Sequence, residues 1–65
     1  MITLNGKVVD KAQGLSLSAL LARENYRLSL IAVAYNGEIV RKANYDCIQL
    51  ADGDVIDIVR IVAGG

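Results

Sequence analysis

Ile31-Ala32-Val33-Ala34-Tyr35-Asn36-Gly37-Glu38-Ile39-Val40 carries the strongest local structural signal of the chain. Asn-Gly suits a type I′ turn, in which both central residues take positive φ. Flanked by β-formers, the pair predicts a hairpin with strands over 31–35 and 38–41. The same dipeptide recurs at Asn5-Gly6, between Ile2-Thr3-Leu4 and Lys7-Val8-Val9, and predicts strands over 1–5 and 7–11. Between the hairpins the period changes. Leu17, Leu20 and Leu21 recur at helical spacing, Ser16 is placed to cap, and Asn25 is suited to the left-handed conformation that ends a helix, so a helix is expected over 17–25.

Beyond the second hairpin, Leu50-Ala51-Asp52-Gly53-Asp54 reads as a turn and Val55-Ile56-Asp57-Ile58-Val59-Arg60-Ile61-Val62 as a strand. Alternation puts Ile56 and Ile58 on one face and Val55, Asp57, Val59 and Ile61 on the other. Asp57 marks the second face as wet, which leaves Val59 and Ile61 either covered by another part of the chain or open to a partner. The order strand–strand–helix–strand–strand–strand gives one helix to a five-stranded sheet. That helix covers one face only. The class is α+β, and the pattern fits a ubiquitin-like β-grasp: a mixed sheet, one main helix on one face, and the last strand placed centrally beside the first.

The 65 residues are expected to form a single domain, 1–65, with a flexible tail at about 62–65. The core has to be aliphatic, since the chain has neither Phe nor Trp and three Tyr are its aromatics. Tyr35, beside the hairpin turn, is expected to pack across strands; Tyr26 and Tyr45 are left between core and rim. Histidine is absent and Cys47 is the single cysteine, which removes the usual general base and excludes intramolecular zinc, iron–sulfur and Cys–His sites. No glycine-rich phosphate loop occurs. No catalytic residue and no metal ligand is assigned, and a stand-alone enzyme is not expected. Seven basic and seven acidic residues balance, with +2 over residues 1–32 and −2 over 33–65, so nucleic acid is not an expected partner. No apolar run reaches membrane-spanning length, Met1-Ile2-Thr3-Leu4-Asn5 has no leader pattern, and the expected place is the cytoplasm. Asp52, Asp54 and Asp57 are read as turn residues and a solvated face, with docking on a basic partner as the lesser alternative. Cys47 is read as a small, partly buried apolar residue, and Arg41-Lys42 as a solvated loop edge.

The sequence closes on Val62-Ala63-Gly64-Gly65. At average glycine usage a Gly-Gly pair there arises by chance in about 0.5% of chains. Glycine adds no burial, but it makes the carboxylate slender enough for a narrow channel.

At this point the chain resembles the ThiS family of sulfur carriers of thiamine biosynthesis. The resemblance spans five pieces in order: Ile2-x-Leu4-Asn5-Gly6, Ser16-Leu17-x-x-Leu20-Leu21, Ile31-Ala32-Val33-Ala34-x-Asn36-Gly37-Glu38-Ile39-Val40, Leu50-x-Asp52-Gly53-Asp54-x-Ile56-x-Ile58 and Val62-Ala63-Gly64-Gly65. Arg41, where many members carry proline, and Tyr45, near where many carry Trp, depart from the pattern. The resemblance implies a carrier modified at Gly65, with Gly64, Ala63 and Val62 recognised as the tail; Val59, Ile61 and Val62 are partner-surface candidates because one helix leaves a sheet face uncovered. It implies a ThiF-like adenylating enzyme that uses ATP, a sulfur donor such as a cysteine desulfurase, and the thiazole synthase ThiG as acceptor. No cofactor is expected on the carrier itself. Two alternatives stand beside it: a sulfur carrier like the small subunit of molybdopterin synthase, and a β-grasp interaction module whose Gly-Gly is incidental.

Overall fold

The computed structural model describes residues 1–61; Val62, Ala63, Gly64 and Gly65, the expected tail, lie outside the described residues. Both Asn-Gly pairs turn as their chemistry demands. Asn5 and Gly6 have φ of 51° and 82°, and Asn36 and Gly37 of 50° and 88°. The first turn joins β1 (Ile2–Leu4) to β2 (Lys7–Val9), and the second joins β3 (Ile31–Tyr35) to β4 (Glu38–Val40). Ile2 pairs with Val9 and Leu4 with Lys7 across the first hairpin; Val33 pairs with Val40 and Tyr35 with Glu38 across the second. Strand β2 stops two residues short of the expected 11, because the chain turns there and Lys11 takes φ of 57°.

Helix α1 (Leu17–Arg23) starts where the sequence places it. Ser16 is extended, and its Oγ accepts from the Ala19 N–H at 3.1 Å. It ends slightly earlier than 25, in a left-handed stop at Asn25 (φ 65°). There the Asn25 N–H donates to the Ala22 carbonyl and the Tyr26 N–H to the Leu21 carbonyl, which satisfies acceptors the helix itself leaves free. Leu17, Leu20 and Leu21 are fully buried, so the apolar stripe of α1 lies wholly in the core.

The last strand, β5 (Val55–Arg60), runs through the middle of a five-stranded sheet ordered β2-β1-β5-β3-β4. It is parallel to β1 (Thr3 opposite Val55, Leu4 opposite Ile56) and antiparallel to β3 over five pairs, Ile31–Arg60 to Tyr35–Ile56. This is the β-grasp arrangement. Ile2, Leu4, Ile31, Val33 and Ile56 point to the core with α1, while Val8, Ile39, Val55 and Val59 are exposed. Two 3₁₀ segments, Leu28–Leu30 and Lys42–Cys47, complete the described residues. The second contributes Tyr45, 3% exposed, to the core, which resolves that tyrosine as interior.

Each hairpin turn grips β5 through its asparagine. The Asn5 N–H donates to the Ile56 carbonyl at 2.8 Å, and Asn5 Oδ1 accepts from the Ile58 N–H at 2.7 Å. On the other side the Asn36 N–H donates to the Val55 carbonyl at 2.8 Å, and Asn36 Oδ1 accepts from the Val55 N–H at 2.8 Å. The two side chains thus serve β5 amides where the ladders of β1 and β3 end. Asn5→Ala and Asn36→Ala are each expected to lower stability by about 2–3 kcal/mol, from the lost bond and the lost tolerance of positive φ. Urea midpoints check this, with amide exchange accelerated at Ile58 in the first variant and at Val55 in the second. Wild-type midpoints in both variants would show that the clasps hold nothing.

Candidate functional site

The described chain ends at Ile61, one residue past β5. The 3₁₀ segment Leu28–Leu30 turns the chain so that the Leu30 carbonyl accepts from the Ile61 N–H at 2.7 Å. Residue 61 is therefore held to the domain by its backbone, just past Arg60, which pairs with Ile31. Strand β5 ends at Arg60 rather than continuing through 62 as the sequence suggests. Val59 is 65% exposed and Ile61 51% exposed, so neither is covered by the described chain. Val59 lies opposite the small Ala32, and Ala34 lies between Ile39 and Asp57. The sheet face away from α1 is thus a shallow apolar surface with one acidic group near its middle.

The start of β5 is different from its expected reading as a solvated acidic edge. Asp54 is buried, because its carboxylate is an acceptor for three groups that the sheet brings together. The Tyr35 hydroxyl donates to Oδ2 at 2.6 Å, the Ala51 N–H to Oδ2 at 2.8 Å, and Asn36 Nδ2 to Oδ1 at 3.1 Å. Burial alone pushes the Asp54 pKa up; the three hydrogen bonds outweigh it, and the net direction is down. The same carboxylate raises the Tyr35 hydroxyl, chiefly by accepting its hydrogen bond. Tyr35 is thus more than a packing residue: it ties the end of β3 to the turn before β5. Asp52 pairs with the Met1 amino group, and the Met1 carbonyl accepts from the Gly53 N–H at 2.9 Å, so this turn also fixes the first residue of the chain. Asp52 and Asp57 are exposed, as the sequence suggests; Asp54 alone of the three is buried.

Cys47 is exposed, contrary to its reading as partly buried. It closes the 3₁₀ segment Lys42–Cys47, whose one buried side chain is Tyr45, so the core is filled from that residue and the thiol is left outside. Nearby, Ser18 Oγ donates to Asp46 Oδ1 and joins this segment to the start of α1. Among the described residues no three His, Cys, Asp or Glu gather in a way that could hold a metal ion. No described helix is long and apolar enough to cross a membrane. The sequence reading overlooked one feature. Arg27 and Arg60, distant in the chain, line one cleft of about 310 Å³ beside the point where Ile61 is held. Nothing local signals it, because it forms only when the α1–β3 connection meets the end of β5.

The comparisons with known proteins agree with this architecture. The model of the ThiS family matches residues 2–65. The sulfur carrier protein ThiS of Bacillus subtilis (strain 168) is 39% identical over 66 residues, covering 100% of both chains. A thiazole synthase of Paramagnetospirillum magneticum is 31% identical over 64 residues, which span 98% of this chain and 20% of that protein. Among solved structures, the crystal structure of the thiamine biosynthesis protein ThiS from Geobacter metallireducens superposes with a TM-score of 0.78 at 31% identity, covering 98% of this chain and 97% of that one.

The Asp54 cluster sets an acid limit on stability. Its folded pKa lies below the ordinary 3.8, so its contribution is fully present above that value and is lost as the pH falls through the folded pKa. Tyr35 has the opposite sign: its folded pKa is raised, and its contribution is lost as the pH climbs through that value, above 10. Asp54→Asn is expected to be less stable at pH 7 by about 1–3 kcal/mol and to lose stability less steeply between pH 5 and 2. Urea unfolding across that range measures both; an unchanged acid slope would mean that Asp54 is not the group titrating.

Proposed function

The chain belongs to the ThiS family, sulfur carriers of thiamine biosynthesis, and we propose that the Gly65 carboxylate is the group on which it carries sulfur. The observation that carries this reading is the reach of the family match: it runs through Val62-Ala63-Gly64-Gly65, directly after a strand whose end is fixed at Ile61. The chain is a carrier and not a catalyst, and its chemistry is done to it.

A carboxylate is a poor electrophile because its negative charge repels nucleophiles and oxide is a poor leaving group. In the proposed sequence a ThiF-like enzyme uses ATP to join the Gly65 carboxylate oxygen to the α-phosphorus, with release of pyrophosphate. A persulfide, supplied by a donor such as a cysteine desulfurase, then attacks the acyl carbon and displaces AMP, and a second thiol reduces the resulting acyl disulfide, leaving the donor sulfur in a new disulfide. The product is a thiocarboxylate, whose sulfur passes to the thiazole synthase ThiG. Tethering keeps that sulfur at high effective concentration in the acceptor site. The thiazole synthase that contains a stretch similar to this chain supports the pairing of carrier and synthase. Gly64, Ala63 and Val62 thread the activating channel; a side chain at 64 would widen the one segment that has to be narrow. Val59 and Ile61 serve as partner contacts on the sheet face that α1 leaves open.

Incubation with ATP, a ThiF-type enzyme and a sulfur donor is expected to change the intact mass by the exchange of one oxygen for one sulfur. Deletion of Gly65 abolishes that change; its persistence would put the modification elsewhere. Gly64→Val is expected to keep the wild-type urea midpoint while thiocarboxylate forms about 100-fold more slowly. A wild-type rate in Gly64→Val would overturn the narrow-channel reading. Ile61→Asp, which removes an exposed apolar contact, is expected to fold normally and to bind the activating enzyme more weakly; undiminished affinity would argue against the contact.

A further inference from the structure

Arg60 occupies an unusual place on β5. Ile56, Ile58 and Arg60 share the core-facing side of the strand, so the row that begins in the interior ends on a cation. Arg27 reaches the same cleft from the turn that precedes the 3₁₀ segment, and Tyr26, Leu30, Ile31 and Asn25 form the rest of its lining. Among the described residues no carboxylate lines it. Among the described residues the ion pairs are Met1 with Asp52 and Arg23 with Glu24, and neither involves Arg27 or Arg60. Two like-charged side chains thus line one cleft, and the described residues offer no counter-charge in its lining. The acids on and just before β5, Asp52, Asp54 and Asp57, lie toward its other part, and Glu24, next to Asn25 in sequence, is paired with Arg23.

The cleft's position says what would meet it. Ile61 is hydrogen-bonded to Leu30, a cleft residue, so the last described residue before Val62-Ala63-Gly64-Gly65 sits at the rim of this cleft. An enzyme that takes up the tail has to bring the mouth of its channel against that rim. We propose that Arg27 and Arg60 form a cationic seat for carboxylate side chains at the channel mouth of the activating enzyme. The proposal rests on the tail chemistry given under Proposed function. Guanidinium forks suit carboxylates through paired N–H donors, and unpaired charge at a rim acts first on encounter rate. With zero net charge the carrier gains no steering from its total charge, so any attraction has to come from a local cluster such as this one.

The test measures adenylation alone, as pyrophosphate release from ATP by the ThiF-type enzyme of the same organism, across carrier concentration and at low and high NaCl. The variants are Arg27→Gln, Arg60→Gln, both together, and the remote control Lys42→Gln. The double variant is expected to lose about 10-fold in kcat/KM at low salt through KM, with kcat kept, and to show a flatter salt dependence than wild type. Arg27→Lys with Arg60→Lys restores most of the loss, which a packing role for the arginines would not predict. If wild type is adenylated and the double variant matches it and Lys42→Gln, the seat is overturned while the carrier reading stands. If wild type releases no pyrophosphate with an enzyme active on another ThiS, the carrier reading fails instead. A separate titration of the labelled carrier with hexaglutamate, followed by NMR, then decides the seat: shifts at the Arg27 and Arg60 side-chain N–H groups support it. Equal shifts with inorganic phosphate, or none, overturn it.

Discussion

The structure depends on the capture of β5 by two asparagines. The sheet order puts two hairpins on opposite sides of one strand, and neither hairpin pairs with the other. All communication across the sheet therefore passes through β5. Its ladder with β1 is two pairs long, which is little to hold a parallel strand whose partner is at the other end of the chain. Asn5 lengthens that ladder with a side chain in place of backbone, and Asn36 does the same for the antiparallel side. The residue type needed to form the turns is thus also the one that closes the sheet. A glycine at either place would tolerate the same φ but would leave a central-strand amide without its partner.

That arrangement bears on a carrier in a direct way. The strand that leads to the tail is the one held by both halves of the domain, and its last described residue is bonded to the Leu30 carbonyl. Force or displacement applied beyond residue 61 falls on the centre of the sheet, not on a frayed edge. The edges, β2 and β4, are three residues each, too short to template pairing with another chain. The family to which the chain belongs carries sulfur, a task that asks a small domain for a firmly held frame rather than for a catalytic centre.

What was legible in the sequence was local or periodic. Asn-Gly turns, the Ser16 cap, the Asn25 stop and the leucine stripe each depend on residues within a few positions, and all are where the sequence puts them. The alternation of β5 also shows directly, because Ile56 and Ile58 carry one face and Asp57 marks the other. The misreadings share a cause. Asp54 looks like a turn acid until the sheet brings Tyr35 and Asn36, each far off in the chain, against its carboxylate. Cys47 looks semi-buried until the preceding 3₁₀ turn spends its inward position on Tyr45. The Arg27–Arg60 cleft has no sequence signature at all, since its two cations are joined only by the return of β5.

The placement of charge along β5 then acquires a physical sense. Asp54 is neutralised in effect by three donors and Asp52 by the chain's own amino group, so the acidic end of the strand is largely spent within the fold. The cationic end has no such internal partner among the described residues. A domain with no net charge thus places two arginines together beside Ile61, its last described residue. An approaching anionic surface feels that end at short range and the rest of the molecule hardly at all, because salt screens exposed charges beyond about 8 Å at physiological strength. Orientation is the quantity such a pattern controls: it favours encounters in which the end of β5 already faces an anionic surface, and it does so without adding to affinity for surfaces that meet the domain elsewhere.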